Sequence, residues 1–105
     1  MANLDERKKA FENKYAHDAE LKFKVDARRN KLLGLWLAPQ IGQDDAEAYA
    51  KTVVIADLEE DGVDDVVRKV MADVAANGAS VAEATVRDKM KELDAVAKEQ
   101  IMSEL

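Results

Sequence analysis

Ahead of the chain's one proline, Pro39, a single apolar stripe of helical period runs for roughly 35 residues. At about 100° per residue, Leu4, Phe11, Tyr15, Leu21, Val25, Leu32, Leu33 and Trp36 fall within an arc of about 120°. A stripe of that length commits the first third of the chain to a helix whose apolar face needs partners. Asn3 with Glu6 reads as a capping box that starts the helix at about Leu4. Pro39, with Gly42 close behind, ends it by removing an N–H and crowding the preceding turn. Gly34 alone interrupts the pattern, at a place where a neighbouring helix can approach closely.

Three shorter helices follow. Asp44 with Glu47 forms a second capping box, and Ala46, Tyr49, Ala50, Val53, Val54 and Leu58 recur at three-and-four spacing up to Gly62. A third helix starts at Asp64, with Val63, Val66, Val67, Val70, Met71 and Val74 on one face, and Asn77-Gly78 closes it in the left-handed conformation. Ser80 and Glu83 cap a fourth, whose Ala82, Val86, Met90, Leu93, Ala97 and Ile101 follow near-heptad spacing. The expected fold is all-α: a four-helix bundle with a long first helix whose N-terminal part projects as a mobile arm.

Helix lengths place the arm. The first helix spans about 52 Å against roughly 22 Å for the second and third and 36 Å for the fourth. Only its C-terminal half, with Leu32, Leu33, Leu35, Trp36 and Leu37, is apolar enough all round to be core. Residues 1–19 are therefore expected to project, and residues 20–105 to form the bundle as a single domain. An unpacked helix of that length is marginal in water, so the arm should fray when free and order on binding. Charge follows a similar division. Residues 1–31 hold nine Lys/Arg against six Asp/Glu, and the remainder seven against sixteen, within a net charge of −6.

These numbers exclude several function classes. The acidic balance argues against nucleic-acid binding, which needs a basic face. The longest apolar run, residues 32–38, is too short to span a bilayer, and the N-terminus lacks the apolar region of a signal peptide. The absence of cysteine removes disulfide and thiolate chemistry and fits a cytosolic protein. Asp5, Glu6, Glu12 and Asp18 interrupt the basic residues of the arm, which argues against a membrane-surface helix.

No catalytic set assembles: Ser80 and Ser103 are the only serines, and no glycine-rich phosphate loop is present, so the expectation is that the chain is not an enzyme. His17 with Glu20 offers one helical turn of possible metal ligands, but a dinuclear bundle needs a second copy of that motif, so no metal is expected. Residues 57–68 resemble the start of a calcium loop, yet the twelfth position is Arg68 where a glutamate is required. The acids among residues 57–61 oppose a helix dipole and leave that turn as a candidate contact for basic groups. Phe11 and Tyr15, flanked by Lys8, Lys9 and Lys14, stand out differently. On a projecting arm they form an aromatic stripe without an internal partner, suited to an intermolecular groove.

Phe11-Glu-Asn-Lys-Tyr-Ala-His-Asp-Ala-Glu20 and Ala27-Arg-Arg-Asn-Lys-Leu-Leu-Gly-Leu-Trp36 resemble the zeta subunits of alphaproteobacterial F-type ATP synthases. Tyr49-Ala-Lys-Thr-Val-Val54 and Asp64-Asp-Val-Val-Arg-Lys69 extend the likeness over most of the chain. The resemblance implies an inhibitor of ATP hydrolysis. Its N-terminal arm would enter the catalytic α/β interface, reach toward the central-stalk subunits and block rotation, at the cytoplasmic face of the inner membrane. The partner-binding positions it implies are Leu4, Arg7, Lys8, Phe11, Lys14, Tyr15 and His17. It also implies weak adenine-nucleotide (ATP/ADP) binding, for which the sequence offers no phosphate motif. The alternative reading is a small adenine-nucleotide-binding sensor or regulatory interaction domain.

Overall fold

The computed structural model describes residues 4–59 and 62–105. It comprises α1 (Leu4–His17), α2 (Ala19–Leu37), a 3-10 turn (Ala38–Ile41), α3 (Ala46–Glu59), α4 (Val63–Ala76) and α5 (Glu83–Glu104). Among the described residues there is no strand, and the fold is all-α as expected. The molecule is elongated, 52 × 24 × 24 Å.

Helices α2 to α5 share one core. Leu33 and Leu37 of α2, Val53 of α3, Val66 and Val70 of α4, and Val86 of α5 are fully enclosed there, with Ala38 and Ile41 of the turn closing one end. Trp36 is only half-buried against that core, with Lys89 Nζ 5.4 Å from its ring centroid. The helical stripes of α4 and α5 are legible in this packing, although Val63 at the start of α4 is exposed. Gly34 does what its position suggested. A Cβ built there would lie 2.5 Å from Ala50 Cα and 3.0 Å from Ala50 Cβ, so α2 and α3 meet nearly backbone to backbone.

Beside that contact lies a polar network that the helical pattern did not announce. Asn30 is fully buried and Arg29 nearly so. Arg29 Nε donates to Asn30 Oδ1 at 3.2 Å, and Asn30 Nδ2 donates to Asp57 Oδ2 at 2.9 Å. The second oxygen of Asp57 accepts the Gly62 N–H at 3.3 Å, and Arg29 reaches Asp26 at 3.4 Å and Asp94 of α5 at 3.6 Å. Asp57 thus takes the inward position that Leu58 was expected to hold, and Leu58 is 58% exposed. The acid of the calcium-like segment is engaged in holding the α3–α4 turn; Glu60 and Asp61 lie outside the described residues.

Several boundaries differ from the sequence reading. The first helix is not continuous. Asp18 adopts an extended backbone (φ −112°, ψ 103°), and its Oδ1 accepts the Leu21 N–H at 3.1 Å, so it ends α1 and caps α2. A short acidic side chain that binds its own downstream N–H competes directly with helix continuation. The second capping residue is Asp45, which accepts from the Ala48 N–H at 3.0 Å, in place of Asp44. Glu83 opens α5 after Ala82, so Ser80 lies outside the helix and is exposed. Asn77-Gly78 ends α4 as read, with Gly78 at φ 64°. Asn3, the first expected cap, lies outside the described residues.

Gly34→Ala should destabilise the protein despite alanine's better helix propensity. Overpacking against a backbone atom costs about 1–3 kcal/mol, against a propensity gain of about 1 kcal/mol. A fall in Tm of about 5–10 °C is expected by circular dichroism. An unchanged or higher Tm would contradict the close approach.

Candidate functional site: the N-terminal helix

The sequence of α1 favours a helix with its dipole complemented, since Asp5 and Glu6 occupy the first turn and Lys14 and His17 the last. The break at Asp18 then lays this helix across the C-terminal half of α5. Phe11 is 5% exposed, seated among Leu21 and Val25 of α2 and Ala97, Ile101 and Met102 of α5. Tyr15 is half-buried at the edge of that cluster, its ring stacked on Phe11 at 6.1 Å between centroids. Lys98 Nζ lies 4.8 Å from the Tyr15 ring centroid. Lys8 Nζ approaches Glu99 Oε1 at 3.7 Å, with both side chains at least half exposed. Such a pair adds little to stability.

The expectation that Phe11 and Tyr15 lack an internal partner is therefore corrected. A single continuous helix would have carried them past the bundle; the cap at Asp18 turns their stripe onto α5 instead. The break falls one residue inside the expected arm boundary at residue 19. Of the remaining candidates, Lys8, Arg7 and Lys14 border the seat of Phe11, and Leu4 and His17 are not among the residues that line it. Leu4, Arg7, Lys8, Lys14 and His17 are exposed along α1, and Leu4 retains 58% of its surface. His17 and Glu20 no longer share a helix, and Glu20 pairs with Lys24 at 3.6 Å. The residues missed by sequence reasoning are Asp18 and Met102. Asp18 was visible as an N-cap type followed by Ala19 and Glu20, and Met102 as the apolar neighbour of Ile101 at the end of the α5 stripe.

The rim of the seam is open to solvent. A cavity of about 310 Å³ opens between α1 and α5 beside Lys8, Phe11, Lys98 and Met102. A second, of about 280 Å³, lies beside Phe11, Arg7, Lys14 and Leu105. Phe11 is the one buried side chain that α1 brings to this seam.

Among the described residues no group of His, Asp and Glu is placed to hold a metal, and no helix is long and apolar enough to cross a membrane. The site is a helix face, and its comparison with known proteins is decisive at the family level. A sequence model described as ATPase inhibitor subunit zeta matches residues 1–100. The chain belongs to this family. No curated protein matches it. The match to the zeta family includes α1 and α2 in full and continues through most of α5, so arm and bundle belong to one family unit.

Both tyrosines hold their protons more tightly than usual. Partial burial raises the Tyr15 pKa above 10.0, with Asp26 and Asp94 adding to the effect against Lys98 and Lys22. Burial raises that of Tyr49 further, assisted by its 2.8 Å hydrogen bond to Asp73. Because the folded chain retains protons that the unfolded chain releases, this stability is complete below the ordinary tyrosine pKa of about 10 and is lost as pH rises beyond it. In an alkaline titration followed by tyrosinate absorbance, ionisation should begin above pH 10 and accompany loss of helical signal. Two tyrosines titrating near pH 10 with the helices intact would contradict these environments.

Proposed function

We propose that this protein inhibits ATP hydrolysis by an F-type ATP synthase, and that α1 is the segment that does so by entering the catalytic α/β interface and reaching toward the central stalk. The family match over residues 1–100 carries the inhibitor role. The separate character of α1 supports the finer reading. It is a short amphipathic helix joined to a bundle whose main core, α2 to α5, contains none of its residues. Phe11 and Tyr15 lie four residues apart on one face, the spacing of anchors in helix-in-groove recognition. Arg7, Lys8 and Lys14 would add charge contacts at the rim, which favour encounter more than affinity. An inserted helix needs no catalytic group of its own; it acts by occupying the space that rotation would close. On this reading the protein works at the cytoplasmic face of the inner membrane, bound to the enzyme.

The test is an ATP hydrolysis assay on the cognate enzyme with the full chain and with a chain lacking residues 1–17, which retains the Asp18 cap. Truncation should abolish inhibition while a cooperative thermal transition persists, with Tm lowered by no more than about 10 °C. Full inhibition by the truncated chain would refute the assignment to α1.

A further inference from the structure

Resting on the reading above, we propose that the groove between α2 and α5 is an intramolecular receptor for α1, which keeps the inhibitory face covered until the enzyme competes for it. In this groove Leu21, Val25, Ala97, Ile101 and Met102 enclose Phe11. The same ring is the leading candidate to anchor α1 in the catalytic interface, and one side chain cannot fill two grooves. Tyr15 and Lys8 are engaged on the same surface, by Lys98 and Glu99. Docking onto the enzyme therefore requires α1 to leave the bundle, and apparent potency falls by the fraction of molecules that are open.

The structure is arranged for such a release. Asp18 is the single residue between α1 and α2, and it caps α2 through the Leu21 N–H without help from α1. Departure of α1 leaves that cap in place. Phe11 is the one buried side chain of α1, so its withdrawal separates little else that is fully enclosed. The bundle thus holds its own arm as a competing ligand, and the strength of the groove sets how readily inhibition develops.

The chain has no cysteine, so Glu12→Cys combined with Ala95→Cys, on facing walls of the same seam, gives one unique pair across it. Bridging that pair with a short bis-maleimide should abolish inhibition that the unbridged double variant retains. Met102→Ala, which weakens the groove without altering α1, should lower the half-inhibitory concentration about fivefold or more. Equal inhibition by bridged and unbridged protein, or no gain from Met102→Ala in a chain that remains folded by circular dichroism, would overturn the proposal. The closed seat has its own readout in the free protein. Phe11→Ala should displace the Met102 methyl resonance by removing the ring current, and an unmoved resonance would overturn the seat whatever the enzyme assay shows. Inhibition by the chain lacking residues 1–17 would instead overturn the role of α1 in inhibition, leaving the groove to be judged by the methyl resonance.

Discussion

The contact of Gly34 with Ala50 fixes the rest of this structure. With no side chain at Gly34, α2 approaches α3 closely enough for Asn30, one turn earlier, to reach Asp57 across the interface. Asp57 then holds the N–H of Gly62, which starts α4 at Val63. A buried amide and a nearly buried guanidinium would be costly alone. Here each has partners, and among the described residues no buried side-chain nitrogen or oxygen is left unsatisfied. The polar network therefore fixes how α2, α3 and α5 meet, in a core whose many valines would accept more than one alignment.

The run from Ala27 to Trp36 carries the most specific resemblance to the zeta family, and the fold gives much of it a physical reason. Arg28 donates to Gln100 and Glu104 at the end of α5, Arg29 and Asn30 build the buried network, Leu33 is core, and Gly34 permits the approach. A residue pattern recognised without explanation is largely a description of how α2 engages its neighbours.

What could be read from sequence follows the range of the interactions. The all-helical class, the lengths of the three later helices, the Gly34 approach and the Asn77-Gly78 stop depend on local period and backbone freedom, and they were legible. The Arg29–Asn30–Asp57 network was not, because polar residues on a helix read as outward until the facing helix supplies their partners. Adjacent Asp44 and Asp45 are chemically equivalent caps, and only the path of the chain from the 3-10 turn selects Asp45. Asp18 is the most instructive case. It lies within an unbroken apolar stripe, so period alone continues the helix through it. Its own side chain favours a break, and a break becomes worthwhile once Phe11 can reach Ala97, Ile101 and Met102, some 90 residues later in the chain.

The energetics of α1 are compatible with the proposed exchange of this helix between the bundle and a partner. Burying a phenylalanine contributes roughly 1.5–3 kcal/mol, while an exposed ion pair such as Lys8–Glu99 contributes at most about 1 kcal/mol. Against this stands the entropy of ordering a helix of 14 residues, a length at which isolated helices are marginal. A helix of that length relies on its seat for order, so α1 belongs to the low-stability end of the molecule, whereas α2 to α5 are joined by a continuous core. A surface that enclosed Phe11 as well and Tyr15 more fully would draw α1 away at little cost to the bundle. Had Asp18 allowed one continuous helix, α1 would have been a stiff extension of α2, without a closed state to leave. The break divides the same apolar stripe between a short helix and the bundle, and that division is what the proposed docking of α1 requires.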